Sequence, residues 1–225
     1  MANKNRSKYV CSNCGAESIR WLGKCPQCGE WNTMEEVVEE AMPKNMRVSQ
    51  EVVTSKKPQK LSEVNLENHE RMLLHMPEVD RPLGGGIVPG SVILWGGEPG
   101  IGKSTLILQV CQAMAASGRT VLYCSGEESE AQIKMRAERL HVNGEHCLVY
   151  SGGNLDSIVK EAESLKPAML VIDSIQTMYM SSSESPMGSP AQIRDCTAVL
   201  VRLAKNYNIA VMIIGHVTKE GNLAG

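Results

Sequence analysis

Eight residues constrain this chain more than any others. Gly97-Glu98-Pro99-Gly100-Ile101-Gly102-Lys103-Ser104 fits the pattern G-x-x-x-x-G-K-[ST]. It stands between an apolar run, Ser91 to Trp95, and a stretch, LILQVCQAMAASG, that reads as a helix closing at Gly118. Glycines at these intervals let successive backbone N–H groups curl around phosphate oxygens, and the following helix adds the positive end of its dipole. Lys103 is expected to reach the β- and γ-phosphates of a nucleotide, Ser104 to offer a hydroxyl to Mg²⁺, and Thr105 to meet the α-phosphate region. The bland reading of the same residues is a glycine-rich turn with a solvated lysine, which the flanking strand and helix patterns oppose.

Downstream, strand-like and helix-like segments alternate. TVLYCSG (Thr120 to Gly126) reads as a strand, a helix begins near Ser129 with Ser129 and Gln132 spaced as a capping box, and CLVY gives a third strand. Leu155 to Leu165 is helical, AMLVIDS (Ala168 to Ser174) is a buried strand, and a helix around Ala191 to Asn206 leads into IAVMIIGHV. Such alternation implies a mainly parallel sheet covered by helices on both faces.

Three acidic or basic side chains fall at the carboxyl ends of these strands, the edge where open α/β sheets bind ligands. Asp173 closes Met-Leu-Val-Ile-Asp, as the carboxylate that supports a nucleotide's metal does, although an Asp there also serves as a plain strand end or helix cap. Glu127, following Val121 to Ser125, is favoured as the base for a hydrolytic water; alternatively Glu127 and Glu128 both sit in the first turn of the next helix. His216, in Ile-Gly-His-Val-Thr, is placed to sense a γ-phosphate or is only a polar strand end.

The eight cysteines divide into two kinds. Cys11, Cys14, Cys25 and Cys28 form C-x2-C-x10-C-x2-C, whereas Cys111, Cys124, Cys147 and Cys196 stand singly among apolar residues. Two close pairs converge on one tetrahedral Zn²⁺, and four protein ligands make the site structural. Gly15 and Gly29 follow the second cysteine of each pair, where a positive φ turns backbone N–H groups toward sulfur. A disulfide pair or a redox dithiol is the competing reading. Trp21 and Trp31 flank the second knuckle and are expected to cover the metal site.

This arrangement suggests a zinc ribbon over residues 1–34, a flexible linker over 35–60 rich in charge blocks and without aromatics, and a nucleotide-binding core over 61–225. SSSESPMGSP, from Ser181 to Pro190, reads as a mobile loop. A net charge of −2 provides no global basic field, so DNA contact would depend on local patches or assembly. No apolar run approaches the ~20 residues that span a bilayer, and the polar N-terminus lacks a signal-peptide core, so no membrane partner and a cytoplasmic location are expected.

With these residues assembled, the chain resembles the bacterial RadA (Sms) family of DNA repair proteins in the RecA superfamily. The four-cysteine module, Leu83-Gly84-Gly85-Gly86, GGEPGIGKST, YCSGEES, LVIDSIQT and IIGHVTKEGNLAG carry the resemblance, which covers essentially the whole chain. It implies an α/β RecA-like P-loop NTPase core behind a small zinc ribbon, with ATP, Mg²⁺ and Zn²⁺ as its small partners. It also implies single-stranded or branched DNA, a RecA-type recombinase and a homo-oligomeric ring as its large ones, with branch migration of recombination intermediates as the work. By position, Lys103, Ser104 and Asp173 fall on the family's nucleotide and metal residues, Glu127 on its glutamate base and His216 on its polar sensor. The loop from Tyr179 to Pro190 falls on one DNA-binding loop, and a second would begin near Thr218. The family continues past the position of Gly225 into a Lys-Asn-Arg-Phe-Gly motif and a Lon-protease-like domain, so the sequence reads as C-terminally truncated. A KaiC-like regulatory ATPase and a non-catalytic zinc- and nucleotide-binding fragment remain as alternatives.

Overall fold

The computed structural model describes residues 6–39, 60–63, 70–142, 144–183 and 185–216. The chain divides into two compact units, Met1–Asn68 and His69–Gly225.

The first unit is a three-stranded antiparallel sheet of order β2-β1-β3, with β1 at Arg6–Cys11, β2 at Glu17–Ser18 and β3 at Met34–Glu39. β1 and β3 pair from Cys11↔Met34 to Arg6↔Glu39. The last strand therefore runs past residue 34 into the stretch expected to be linker. Its charge-rich composition hides a segment whose backbone groups find ladder partners in β1. Residues 40–59, the greater part of the expected linker, lie outside the described residues.

The second unit opens with Met72 and Ile87 exchanging backbone hydrogen bonds of 2.7 and 2.9 Å around the short helix α1 (Pro77–Asp80). Arg71 Nη1 donates to the carbonyls of Leu83 and Gly86 at 2.7 and 3.2 Å, which fixes the Leu83-Gly84-Gly85-Gly86 turn. Then follow β4 (Val92–Gly97), α2 (Lys103–Ala116), β5 (Val121–Ser125), α3 (Glu130–Arg139), β6 (Cys147–Ser151), α4 (Leu155–Leu165), β7 (Met169–Asp173), α5 (Pro190–Tyr207) and β8 (Ala210–His216). The five strands form one parallel sheet of order β4-β8-β7-β5-β6.

Strand alternation sorts the core into two layers. Val121, Tyr123, Met169, Val171, Met212 and Ile214 pack with Ile107, Cys111 and Met114 of α2 and Ile133 of α3 on one face. Leu122, Cys124, Leu170, Ile172, Val211 and Ile213 pack with Leu155 and Ile158 of α4 and Cys196, Leu200 and Leu203 of α5 on the other. Strands buried on both faces are uninterrupted apolar runs, which is why they stand out in the sequence.

Three N-caps start helices in this unit, the Ser129–Gln132 box among them where the sequence places it. Ser129 and Gln132 close the full capping box of α3, Asn154 caps α4 by accepting from the Ser157 amide, and Ser189 caps α5 ahead of Pro190. Ser189 thus ends the loop expected from Ser181 to Pro190, and Pro190 belongs to the helix. No helix among the described residues is long and apolar enough to cross a membrane.

Candidate functional site

Parallel strands bring all their carboxyl ends to one edge, and register decides which residues meet there. β4 pairs with β8 so that Gly97, the start of the glycine-rich loop, lies opposite His216. β5 pairs with β7 so that Ser125 lies opposite Asp173. A cleft of about 270 Å³ opens at this edge, lined by Pro99, Gly100 and Ser104 from the loop and α2, by Ser125, Glu127, Glu128 and Arg136 from β5 and α3, and by Asp173 and His216.

The loop holds its shape through backbone conformations that only glycine adopts at low cost. Gly100 and Gly102 have φ of 80° and 98°, with open space where a Cβ would stand, so conformation rather than crowding excludes other residues. α2 begins at Lys103, with Ser104 and Thr105 in its first turn. The Ile101 side chain is exposed, so this residue offers the cleft only its backbone. Lys103 is buried, and its Nζ donates to the carbonyls of Gly97 and Glu98, both at 2.8 Å. An ammonium that bonds carbonyl oxygens of its own loop is pre-positioned for other anionic or carbonyl oxygens in the same place.

The acids are held differently from one another. Glu127 and Glu128 lie outside α3, whose N-cap is Ser129, so neither belongs to the first helical turn. Ser125 Oγ accepts from the amides of both, at 3.3 and 3.1 Å, and sets the turn that carries them. Glu127 Oε1 accepts from Ser174 Oγ at 2.6 Å and lies 3.5 Å from His216 Nε2, while Gln176 Nε2 donates to the His216 carbonyl at 3.3 Å. Glu128 is paired with Arg136 Nη2 at 2.7 Å. Asp173 is buried, and the Tyr123 hydroxyl donates to its Oδ2. Burial, reinforced by the charge of Asp173, pushes the Tyr123 phenol far above its ordinary range, so this hydroxyl stays a donor.

The sequence nominates Lys103, Ser104, Asp173, Glu127 and His216, and all five stand at this one edge. Ser125, Ser174, Tyr123 and Arg136 escape a sequence reading because each gains its meaning from a neighbouring strand or helix. The available signals were the period-two alternation that puts Tyr123 on the face of Asp173, and the three-residue step from the core residue Ile133 to Arg136 on α3.

The cysteine cluster is the second candidate site. The four Sγ atoms of Cys11, Cys14, Cys25 and Cys28 lie within 4.8 Å of one another, with Cys11 to Cys28 at 3.7 Å and Cys14 to Cys25 at 3.5 Å. Zn–S bonds of about 2.3 Å in tetrahedral array require sulfurs about 3.8 Å apart, so the cluster fits zinc. All four are free of disulfides. Gly15 and Gly29 have φ of 73° and 75°, and each donates its amide to the carbonyl of the first cysteine of its knuckle. Burial raises the Cys11 thiol, but the Thr33 hydroxyl and the amides of Cys14 and Asn13 outweigh it and bring it down to about 6. Burial raises Cys14 to about 12, and the Cys28 amide lowers Cys25. Thiolates this close repel one another, so four of them coexist near neutral pH only around a cation. Trp21 and Trp31 do not cover the cluster: they are 56% and 67% exposed, and the packing around the sulfurs comes from Met34, Tyr9 and Ala16. Lys24 Nζ instead sits 5.5 Å from the centre of the Trp31 ring.

Comparison with known proteins finds a family match in each unit. Residues 58–222 match the AAA domain family, and residues 9–36 match the rubredoxin metal binding domain family. The chain is 48% identical over 222 residues to the DNA repair protein RadA of Listeria monocytogenes, covering 99% of this chain and 48% of that one. It is 46% identical over 224 residues to RadA of Bacillus subtilis and 46% identical over 222 residues to RadA of Aquifex aeolicus, in each case across 99% of this chain and 49% of the relative. The chain thus spans about half the length of the curated relatives it matches.

Proposed function

The chain belongs to the RadA family of DNA repair proteins, with a P-loop ATP-binding domain and a zinc ribbon, and from that premise we propose that it hydrolyses ATP and couples turnover to single-stranded DNA. The observation that carries the reading is the convergence of Lys103, Ser104, Asp173 and Glu127 on one cleft at the carboxyl edge of the sheet.

In this reading the loop amides from Glu98 to Thr105 cradle the phosphates, and Lys103 trades the carbonyls of Gly97 and Glu98 for β- and γ-phosphate oxygens. Ser104 and Asp173 hold Mg²⁺, which when bound neutralises charge on the phosphates. Glu127 takes a proton from the attacking water, since its Oε1 is held by the Ser174 hydroxyl rather than by a guanidinium, whereas Glu128 is committed to Arg136. His216, 3.5 Å from Glu127, links the γ-phosphate position to the end of β8.

Branch migration of recombination intermediates, a homo-oligomeric ring and a RecA-type recombinase partner extend the same proposal to the whole protein. The segment Tyr179 to Pro190 is assigned as one DNA loop. The second, from Thr218, lies outside the described residues.

The test is Mg²⁺-dependent ATP hydrolysis by the purified chain, with and without single-stranded DNA, at low and moderate salt. Turnover is expected to rise with DNA and to vanish in Lys103→Ala. In Glu127→Gln it should fall by roughly 10²- to 10⁴-fold while nucleotide binding persists. Unchanged turnover in Glu127→Gln rejects the base assignment, and a DNA-independent rate favours a KaiC-like regulatory ATPase.

A further inference from the structure

Tyr123, which has no role in the reading above, and Arg136, which enters it only as the partner of Glu128, meet the acid assigned to the metal. Tyr123 lies opposite Val171 in the β5–β7 register, two positions before Asp173, so both side chains project from the α2–α3 face of the sheet. Its hydroxyl donates to Asp173 Oδ2. Arg136 Nη2 donates to the same hydroxyl at 3.2 Å, lies 4.0 Å from Asp173 Oδ2, and pairs with Glu128 Oε2 at 2.7 Å. Nη1 adds a bond of 3.3 Å to Glu128 Oε1. Ile133, one helical step earlier, is fully buried and docks α3 on this face, which brings Arg136 over the strand end.

A carboxylate with two equivalent oxygens presents either to a cation, and it turns about its terminal bond at little cost. A donor on Oδ2 removes that freedom. Oδ1 of Asp173 accepts no hydrogen bond among the described residues and is left for the metal shell. Arg136 fixes the donor in turn. Because its charge is balanced by Glu128, it presents little net repulsion to a cation and keeps a second acid from competing for one.

We propose that Tyr123 and Arg136 are positioning residues for divalent-cation binding: Tyr123 holds Asp173 by one oxygen, and Arg136 holds Tyr123 and withdraws Glu128. This rests on the reading of Asp173 as the metal-associated carboxylate. Each acts through another side chain, Tyr123 through Asp173 and Arg136 through Tyr123 and Glu128.

The experiment uses Mn²⁺ as the probe, titrated against the full chain with ADP and followed by the electron paramagnetic resonance of free Mn²⁺. Fluorescent ADP binding in EDTA serves as the metal-free control. Tyr123→Phe keeps the ring and removes the donor. It is expected to weaken Mn²⁺ binding roughly tenfold, the worth of one hydrogen bond to a charged acceptor, with metal-free ADP affinity unchanged. Arg136→Lys keeps the charge and loses the fork, and a smaller loss is expected. Wild-type Mn²⁺ affinity in Tyr123→Phe, or a lower melting temperature with unaltered affinity per folded molecule, overturns the proposal. Should Tyr123→Phe not fold, wild-type affinity in Arg136→Lys overturns it instead. Asp173→Asn separates the two levels. If it leaves Mn²⁺ binding intact, the assignment of Asp173 falls and this proposal with it; if it weakens binding while Tyr123→Phe does not, only the positioning role is lost.

Discussion

The two units of this chain reach order by opposite means. Among the described residues of the first, the buried apolar side chains packed at the metal site are Met34 beside Cys11 and Cys25. In the second, two apolar layers sandwich a five-stranded sheet, with Ile172, Leu170, Val171 and Ile214 all at 0% exposure. A small unit cannot bury enough apolar surface to offset its lost chain entropy, so a metal supplies what the core does not. The cysteines mirror this contrast. Those of the ribbon gather into one cluster, whereas burial pushes Cys124 up to about 12 and Cys196 up to about 11 and leaves them small apolar fillers.

The strongest way to break that comparison is to take the metal away. Structural zinc contributes on the order of 10 kcal/mol or more to such units. Chelation is therefore expected to unfold the ribbon and shift the emission of Trp21 and Trp31, while Trp95 on β4 still reports a cooperative transition on denaturation. Retention of ribbon structure in a strong chelator would mean that apolar packing suffices after all. The converse change is Ile172→Ala, expected to cost about 2–5 kcal/mol by urea denaturation, independent of zinc. A cost under about 1 kcal/mol would show the sheet to be less tightly packed than its burial implies.

Thiol chemistry sharpens the same contrast. After chelation, the four ribbon cysteines should react with an aromatic disulfide reagent, whereas Cys124 and Cys196 should react only once the core unfolds. The sign of the pH effect follows. A thiol whose pKa is raised in the fold leaves stability intact below the unfolded value near 9 and erodes it as pH climbs toward about 12, because only the unfolded chain then gains by ionising. The core should accordingly lose stability between about pH 9 and 12, which urea midpoints across that range would measure. The smallest effect is expected for Ser129→Ala, which breaks the capping box of α3 for about 1 kcal/mol.

What the sequence discloses follows the same division. Met-Leu-Val-Ile-Asp and Ala-Val-Met-Ile-Ile-Gly are legible because buried parallel strands need apolar residues on both faces, and Asp173 is legible because the apolar run stops at it. Asn154 and Ser189 show as caps only in the structure, whereas Ser129 is legible because its capping box is chemistry within a few residues. Ser174 against Glu127 and Tyr123 against Asp173 are not, since each pair spans about 50 residues and is made by strand register alone. In the ribbon, the cysteine spacing announces the metal, but the exposure of Trp21 and Trp31 and the extension of β3 to Glu39 are products of a fold with too little interior to hold large rings.

Lys103 resting on the carbonyls of Gly97 and Glu98 bears on the timing of the nucleotide cycle. In the proposed function, arrival of a nucleotide would exchange these partners for phosphate oxygens, and departure would restore them. Part of the affinity such a lysine offers is thereby surrendered, and the return journey is eased. Were turnover governed by product escape, these two backbone oxygens of the glycine-rich loop would quicken it.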